Sequence, residues 1–193
     1  MASAAGAGVV FICAAWLAWV VIWVALSRGT KSVVRQESLV SRALHLVPLG
    51  VATVLLLSPR VAGPLFDTLV LPRAPWMVFL GMALVALGLG FAIWARLVLA
   101  GNWSGTVTLK ASHELIRRGP YALARHPIYT GLLTALLGTA VVIDAWRGLL
   151  AFAIVTVSFL WKMGTEEAFM RAAFGAEYDA YRSRTRALLP FIW

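Results

Sequence analysis

The chain has 193 residues, of which 61% are hydrophobic, and its mean hydropathy of +0.85 excludes an ordinary soluble domain and indicates an integral membrane protein. Its net charge of +9 comes from basic residues in short loops between apolar runs, where they set topology or meet lipid headgroups rather than nucleic acid. Because Cys13 is the single cysteine, an intramolecular disulfide and a cysteine-based metal site are excluded.

Five apolar spans are predicted along the chain, and they cover residues 7–26, 43–57, 76–95, 128–143 and 148–161. The first is a run of 20 uncharged residues, which is long enough to cross a bilayer as a helix. The last two are short and are separated only by residues 144–147, which predicts a tight helical hairpin. Residues 165–186 predict an amphipathic C-terminal helix that is bent near Gly175.

Lysine and arginine are concentrated in alternate connections. The segments after the first and third spans and the tail are rich in them, whereas the two other loops hold only Arg60, Arg73 and Arg147. The positive-inside rule therefore predicts an outside N-terminus and a cytoplasmic location for the three basic segments. The alanine- and arginine-rich composition points to a bacterium, so we expect a multi-pass protein of the inner membrane.

Ionisable and aromatic residues cluster at the predicted cytoplasmic edge. They lie in the segments 113–121 and 125–131, and the pair Glu166-Glu167 follows the last span. Ionisable groups at a membrane edge are unfavourable unless they have a role, so this cluster is the predicted functional site.

The second half of the chain carries several short motifs in a fixed order. They are Asn102-Trp103-Ser104-Gly105, His113-Glu114-Leu115-Ile116, Gly119-Pro120-Tyr121, Arg125-His126-Pro127-Ile128-Tyr129-Thr130-Gly131, Glu166-Glu167, Phe174-Gly175-Ala176-Glu177-Tyr178 and Leu189-Pro190. Together they resemble the isoprenylcysteine carboxyl methyltransferase family, which is related to phospholipid N-methyltransferases.

The apolar spans and this resemblance together predict an all-α integral membrane protein with five transmembrane helices. The last two would form a short hairpin, and the cytoplasmic connecting loop and C-terminal helix would form a cofactor pocket. The whole chain, 1–193, is expected to be one membrane domain. It would comprise a two-helix N-terminal part, 1–75, and a methyltransferase core, 76–193.

The resemblance further implies S-adenosyl-L-methionine as the methyl donor. Carried over by position, the cofactor contacts fall on His113, Glu114, Leu115, Ile116, Tyr121, His126, Pro127, Ile128, Tyr129, Glu166 and Glu167. Arg125, Lys162 and Glu166 are the implied catalytic residues. The family usually has an arginine at the position of Lys162, assigned to the substrate carboxylate, and lysine keeps the charge but loses the planar fork.

The chemistry of these residue types agrees with that implication. The donor is a sulfonium cation, so a carboxylate such as Glu166 and the faces of Tyr121 and Tyr129 suit it. Transfer to a carboxylate needs in-line placement and no metal, and we predict none. The expected partners are membrane lipids and a lipophilic or prenylated small-molecule or peptide acceptor, with an amine as an alternative nucleophile to the carboxylate.

Other interpretations remain open. An NADPH-dependent membrane reductase related to sterol reductases is one, and a non-catalytic membrane protein is another. Residues 125–127 could be a topogenic charge followed by a helix start. Glu166 and Glu167 could be the acidic first turn of the tail helix. The tryptophans at 16, 19 and 23 share a helix face and favour packing or lipid contact over ligand binding.

Overall fold

The structure, a computed structural model, describes residues 2–28, 33–36, 38–58, 63–71, 74–103, 108–110 and 114–188. Within these ranges the α-helices are α1 (Ala2–Ser27), α2 (Leu39–Leu57), α3 (Pro75–Leu99), α4 (Pro127–Ile143), α5 (Trp146–Phe174) and α6 (Ala176–Arg184). Two short strands, β1 (Val33–Gln36) and β2 (Thr108–Lys110), and two 3₁₀ turns, Ala100–Asn102 and Gly119–Ala122, complete the described elements.

Four helices are long and apolar enough to cross a membrane, namely α1, α2, α3 and α5. The chain is therefore an integral multi-pass membrane protein, as predicted. Helix α4 is apolar too, but it has 17 residues and is shorter than a usual span. The fifth predicted crossing therefore stays a proposal.

Helices α3 and α4 pack with their backbones almost in contact. A Cβ atom built on Gly88 would lie 2.5 Å from the carbonyl oxygen of Gly131, and one built on Gly131 would lie 2.5 Å from that of Gly88. Gly138 meets the carbonyl oxygen of Gly81 at the same distance. Only glycine permits this approach, which is a common way to associate helices in a bilayer. It fixes α4 in the centre of the bundle.

The last span is longer than predicted. Helix α5 continues without a break from Trp146 to Phe174, so the expected end at residue 161 and the separate tail helix starting at 165 are wrong. Hydropathy falls after Trp161, yet lysine, methionine, glutamate and alanine at 162, 163 and 166–168 are good helix formers, so the helix leaves the apolar layer without ending. The predicted bend at Gly175 is confirmed, because Gly175 has φ +50° and separates α5 from α6.

Three basic segments meet on one face of the bundle. Strand β1, from the connection after α1, pairs antiparallel with β2, from the connection after α3. The guanidinium of Arg96 donates a hydrogen bond to the carbonyl oxygen of Leu26 and ties the ends of α1 and α3 together. The tail returns to residues 124–126 on that face.

Candidate functional site

A cavity of about 330 Å³ lies between α1, α4, α5, α6 and the segment 114–126. Its apolar lining includes Trp19, Trp23, Leu49, Leu99, Trp103, Leu132 and Phe159. Its polar and aromatic lining includes Asn102, Glu114, Tyr121, Arg125, His126, Tyr129, Lys162, Glu166, Tyr178 and Tyr181. A cavity of this size, with few polar groups among many apolar ones, is typical of a small-molecule site.

His126 lies between two carboxylates at the start of α4. Its Nδ1 is 3.4 Å from Oε2 of Glu166, and its Nε2 is 3.3 Å from Oε1 of Glu167. Both ring nitrogens thus face groups that only accept hydrogen bonds, and the doubly protonated imidazolium satisfies both. Burial lowers the pKa of His126, but the hydrogen bonds and charges of the two carboxylates outweigh it and raise the pKa above 6.5.

Glu166 joins the polar groups of α4 and α5. The hydroxyl of Tyr129 donates to its Oε1 at 2.6 Å, while its Oε2 faces His126. Lys162, one turn earlier on α5, holds its Nζ 5.9 Å from the centre of the Tyr129 ring. That ring packs on Phe159 with centroids 4.6 Å apart. A carboxylate and an ammonium group therefore share one wall with an aromatic surface.

Glu167 lies behind this wall and is not part of the cavity lining. Its Oε1 accepts from Nε of Arg125 at 2.8 Å, and its Oε2 accepts from Nε of Arg182 at 3.1 Å. Arg125 also donates to the backbone carbonyl of Thr185. Arg125 and Glu167 are therefore engaged with each other and with the tail, in positions that support His126.

The C-terminal segment fixes the backbone of this motif. The amide of Arg125 donates to the carbonyl oxygen of Arg186 at 2.8 Å, and the amide of His126 donates to that of Ala187 at 2.9 Å. Residue 124 forms a parallel bridge with Arg186. These contacts orient the first turn of α4, and the sequence contains no pattern that predicted them.

The structure brings most of the predicted site residues to one cavity. The lining includes Glu114, Leu115, Ile116, Tyr121, Arg125, His126, Pro127, Ile128, Tyr129, Lys162 and Glu166. Glu167 lies behind it, and His113 lies outside the described residues. Glu166 and Glu167 are in the interior of α5, so the interpretation of this pair as an acidic first turn is wrong.

Two tryptophans of α1 line the cavity, although the sequence favoured a packing role for them. Trp19 stacks on Trp23 with centroids 4.7 Å apart, and Trp23 meets Trp103 edge-on at 5.4 Å. Trp16 does have the packing role, because its indole N–H donates to Thr139 at 3.0 Å. The sequence spacing of the three tryptophans predicted that they share one face of α1, but it could not show which part of the protein that face contacts.

Two tyrosines of α6 close the cavity from the tail side. Tyr178 and Tyr181 are buried, and the Tyr181 hydroxyl donates to the carbonyl oxygen of Tyr121 at 2.6 Å. Burial raises the pKa of Tyr181 to about 12, so this hydroxyl stays protonated and keeps donating. The i, i+3 spacing of the pair was the available signal for a shared face.

The sequence profile of the phospholipid methyltransferases matches residues 76–177, which is more than half of the chain. The chain belongs to the phospholipid methyltransferase family. The match runs from the start of α3 to the start of α6 and thus includes most of the cavity-lining residues. The family resemblance predicted from the motifs is confirmed.

Individual proteins are similar to this chain over parts of their length. The chain is 32% identical over 121 residues to a probable protein-S-isoprenylcysteine O-methyltransferase of Oryza sativa subsp. indica, covering 61% of this chain and 63% of that protein. It is 30% identical over 121 residues to cobalt-zinc-cadmium resistance protein CzcN of Cupriavidus metallidurans, covering 61% and 50%.

The fold is similar to a solved structure of the eukaryotic intramembrane Ras methyltransferase ICMT (isoprenylcysteine carboxyl methyltransferase). The TM-score is 0.52 at 23% sequence identity, over 79% of this chain and 52% of that one. The chain spans less than two thirds of the length of each of these three proteins.

Proposed function

We propose that this protein is an S-adenosylmethionine-dependent membrane methyltransferase that methylates a carboxylate on a lipophilic or prenylated acceptor. The observation that carries the proposal is that the segment matched by the family profile includes most of the residues that line the cavity. That segment, 76–177, also contains the His126–Glu166–Tyr129 group. The names of the Oryza sativa relative and of the solved ICMT structure support transfer to a prenylated carboxylate.

The residues of the cavity fit this methyl donor. Its volume of about 330 Å³ is in the range of small-molecule sites, and its lining combines carboxylates, aromatic side chains and the segment 114–116. When bound, S-adenosylmethionine supplies an electrophilic methyl group on a sulfonium. Glu166 would attract the cationic groups of the donor, and Tyr129 and His126 hold this carboxylate in place.

The same cavity also suits an acceptor with a charged end and an apolar tail. Lys162 offers an ammonium to an acceptor carboxylate, which favours a carboxylate over an amine as the nucleophile. Trp19, Trp23 and Phe159 offer apolar surface to a lipid tail. The lining of the cavity is mostly apolar, which lowers the local dielectric and favours a step in which opposite charges are neutralised.

We further propose that α4 crosses the bilayer as a fifth span and that the site faces the cytoplasm of a bacterial cell. The basic segments support this orientation, since they meet on the face that carries the cavity. In this arrangement the N-terminus is outside. Residues 76–193 act as the methyltransferase core within one membrane domain.

Transfer of a radioactive methyl group tests the proposed function. The purified full chain is incubated with labelled donor and either a prenylated cysteine or a lipid extract, and labelled products are identified. We expect labelling with the wild type and with Glu177→Gln. Glu177 is the matched control, because it is an exposed carboxylate paired with Arg117 away from the cavity. We expect at least a tenfold loss with Glu166→Gln.

The same preparation distinguishes the other interpretations. Oxidation of NADPH without methyl labelling would favour a reductase. Absence of labelling in both acceptor preparations, together with no binding of either cofactor, would favour a non-catalytic membrane protein.

A further inference from the structure

A second cleft lies on the other side of the Arg125–Glu167 pair. Its volume is about 900 Å³, and it lies between α5, α6 and the segments 122–125 and 185–187. Besides Arg125, its lining includes three arginines of the tail: Arg182, Arg184 and Arg186. Two carboxylates, Glu167 and Asp179, are the acidic groups of that lining.

Both carboxylates of the cleft are already neutralised within the protein. Glu167 pairs with Arg125 and Arg182, and Asp179 pairs with Arg171 at 2.9 Å. In the part of the chain that the structure describes, Arg184 and Arg186 have no acidic partner. These two guanidinium groups therefore leave the cleft with an excess of positive charge.

Backbone carbonyl oxygens at the end of α6 would repel an anion in the cleft, but the guanidinium of Arg125 already forms hydrogen bonds with them. Its Nη1 donates to the carbonyl oxygens of Arg182 and Thr185. The negative end of this helix is thus satisfied by a cation. The positive charge of Arg184 and Arg186 remains available to a ligand.

The other side of the cleft is apolar and lies beside the point at which the apolar part of α5 ends. Leu160 and Met163 of α5 contribute to it, and Leu123 is 47% exposed beside them. Trp161, next to Leu160, ends the apolar part of α5 and is 58% exposed, as expected of a tryptophan at a lipid headgroup layer. The cleft thus offers apolar surface towards the bilayer and cations at its edge.

We propose that this cleft binds an anionic phospholipid of the adjacent leaflet. Arg184 and Arg186 contact the phosphate, and Leu123 and Leu160 contact the beginning of the acyl chains. Arginine suits this role because its planar fork binds phosphate oxygens in pairs. The proposal does not depend on methyl transfer, and it concerns a site that the Arg125–Glu167 pair separates from the cavity.

Native mass spectrometry of the full chain in detergent tests the role of the charges. The protein is titrated with phosphatidylglycerol or phosphatidylcholine, and the lipid concentration for half occupancy is measured. We expect a preference for phosphatidylglycerol and a weakening of about tenfold or more in the double variant Arg184→Gln/Arg186→Gln. The double variant Arg28→Gln/Arg118→Gln is the control, because it removes two exposed charges outside the cleft and should bind as the wild type does.

Filling the cleft tests its shape without changing its charge. Gly164 lines the cleft, and a Cβ atom there would meet nothing within 4 Å. We expect Gly164→Leu to weaken phosphatidylglycerol binding at least fivefold, while Gly90→Leu, at an equally open helical position outside the cleft, leaves it unchanged. If the double arginine variant does not fold, the comparison of Gly164→Leu with Gly90→Leu still tests whether phosphatidylglycerol binds in the cleft.

Three results would overturn the proposal. One is equal binding of phosphatidylcholine. Another is an equal loss of affinity in the two double variants, which would indicate a diffuse surface charge. The third is displacement of phosphatidylglycerol by millimolar inorganic phosphate, which would indicate a site for free phosphate.

Discussion

The helical hairpin of α4 and α5 carries a cluster of charged residues at each end. At the end formed by the α4–α5 turn, Arg147 pairs with Asp67 at 2.8 Å and donates to the carbonyl oxygens of Leu55 and Leu56. Asp144 accepts hydrogen bonds from the backbone amides of Val70 and Leu71, in the connection between α2 and α3. At the other end, the cluster is the His126 group with Glu166 and Glu167.

The two clusters differ in what their charged groups contact. The charged groups of the turn cluster bind the backbone of other segments, and neither Asp144 nor Arg147 lines either cavity. In the His126 cluster, Glu166 and Lys162 line the cavity, and the side chains of Tyr129 and His126 hold the carboxylate of Glu166. We therefore expect a charged residue at a membrane edge to bind a ligand only when it lies beside a space for one.

Removal of Arg147 should have the largest effect on stability. Arg147→Ala leaves two helix-end carbonyls without their donor and Asp67 without its cation. We expect a loss of about 2 to 3 kcal/mol in the free energy of unfolding in mixed micelles. Calorimetry on the folded fraction should show donor affinity within twofold of the wild type. A tenfold loss of donor affinity at unchanged stability would mean that the turn cluster is also functional.

Replacement of Glu166 should lower the affinity for the methyl donor more than it lowers stability. We expect Glu166→Gln to weaken S-adenosylmethionine binding about thirtyfold, which corresponds to about 2 kcal/mol for a charge-assisted contact. Glu177→Gln is again the control. Unchanged affinity in a folded Glu166→Gln protein would remove this carboxylate from the donor site.

Replacement of Lys162 should lower turnover of the acceptor more than it lowers the affinity for the methyl donor. If its ammonium binds the acceptor carboxylate, Lys162→Ala should lower kcat/KM for the acceptor about tenfold, with donor affinity nearly unchanged. Lys162→Arg, which restores the usual residue of the family, should retain activity. Equal activity of the alanine variant at low acceptor concentration would argue against a substrate role.

Titration of His126 should give the smallest effect, on the pH dependence of stability. Because its pKa is raised above 6.5 in the folded protein, its contribution to stability is complete below pH 6.5 and is lost as pH rises through the folded value. We expect the melting temperature of the wild type to fall over that range, and this part of the fall to be absent in His126→Gln. The same pH profile in both proteins would contradict a charged His126.

Much of the fold could be predicted from the sequence, because apolar runs give the helices directly. The error at the end of α5 has a physical cause, since hydropathy reports where the lipid ends and not where the helix ends. The glycines show a similar limit. Gly88 packs against the backbone of Gly131, whereas Gly90, two residues later, faces open space. Which face of a helix meets a neighbour depends on the assembled bundle.

The site was predicted unevenly for the same reason. His126, Tyr129 and Glu166, which line the cavity, were predicted to lie together because they belong to dense polar motifs. Trp19 and Trp23 were not assigned to it, because aromatic residues on one helix face also suit lipid contact. The return of residues 185–187 to the start of α4 depends on backbone hydrogen bonds, which any sequence could provide.

The central claim is that the cavity beside Glu166 binds a sulfonium nucleoside. Calorimetric titration of the purified wild-type chain in detergent with S-adenosylmethionine, and in parallel with NADPH, tests it most directly. We expect saturable binding of S-adenosylmethionine near one molecule per chain and no heat from NADPH. Saturable NADPH binding without any response to S-adenosylmethionine would contradict the account.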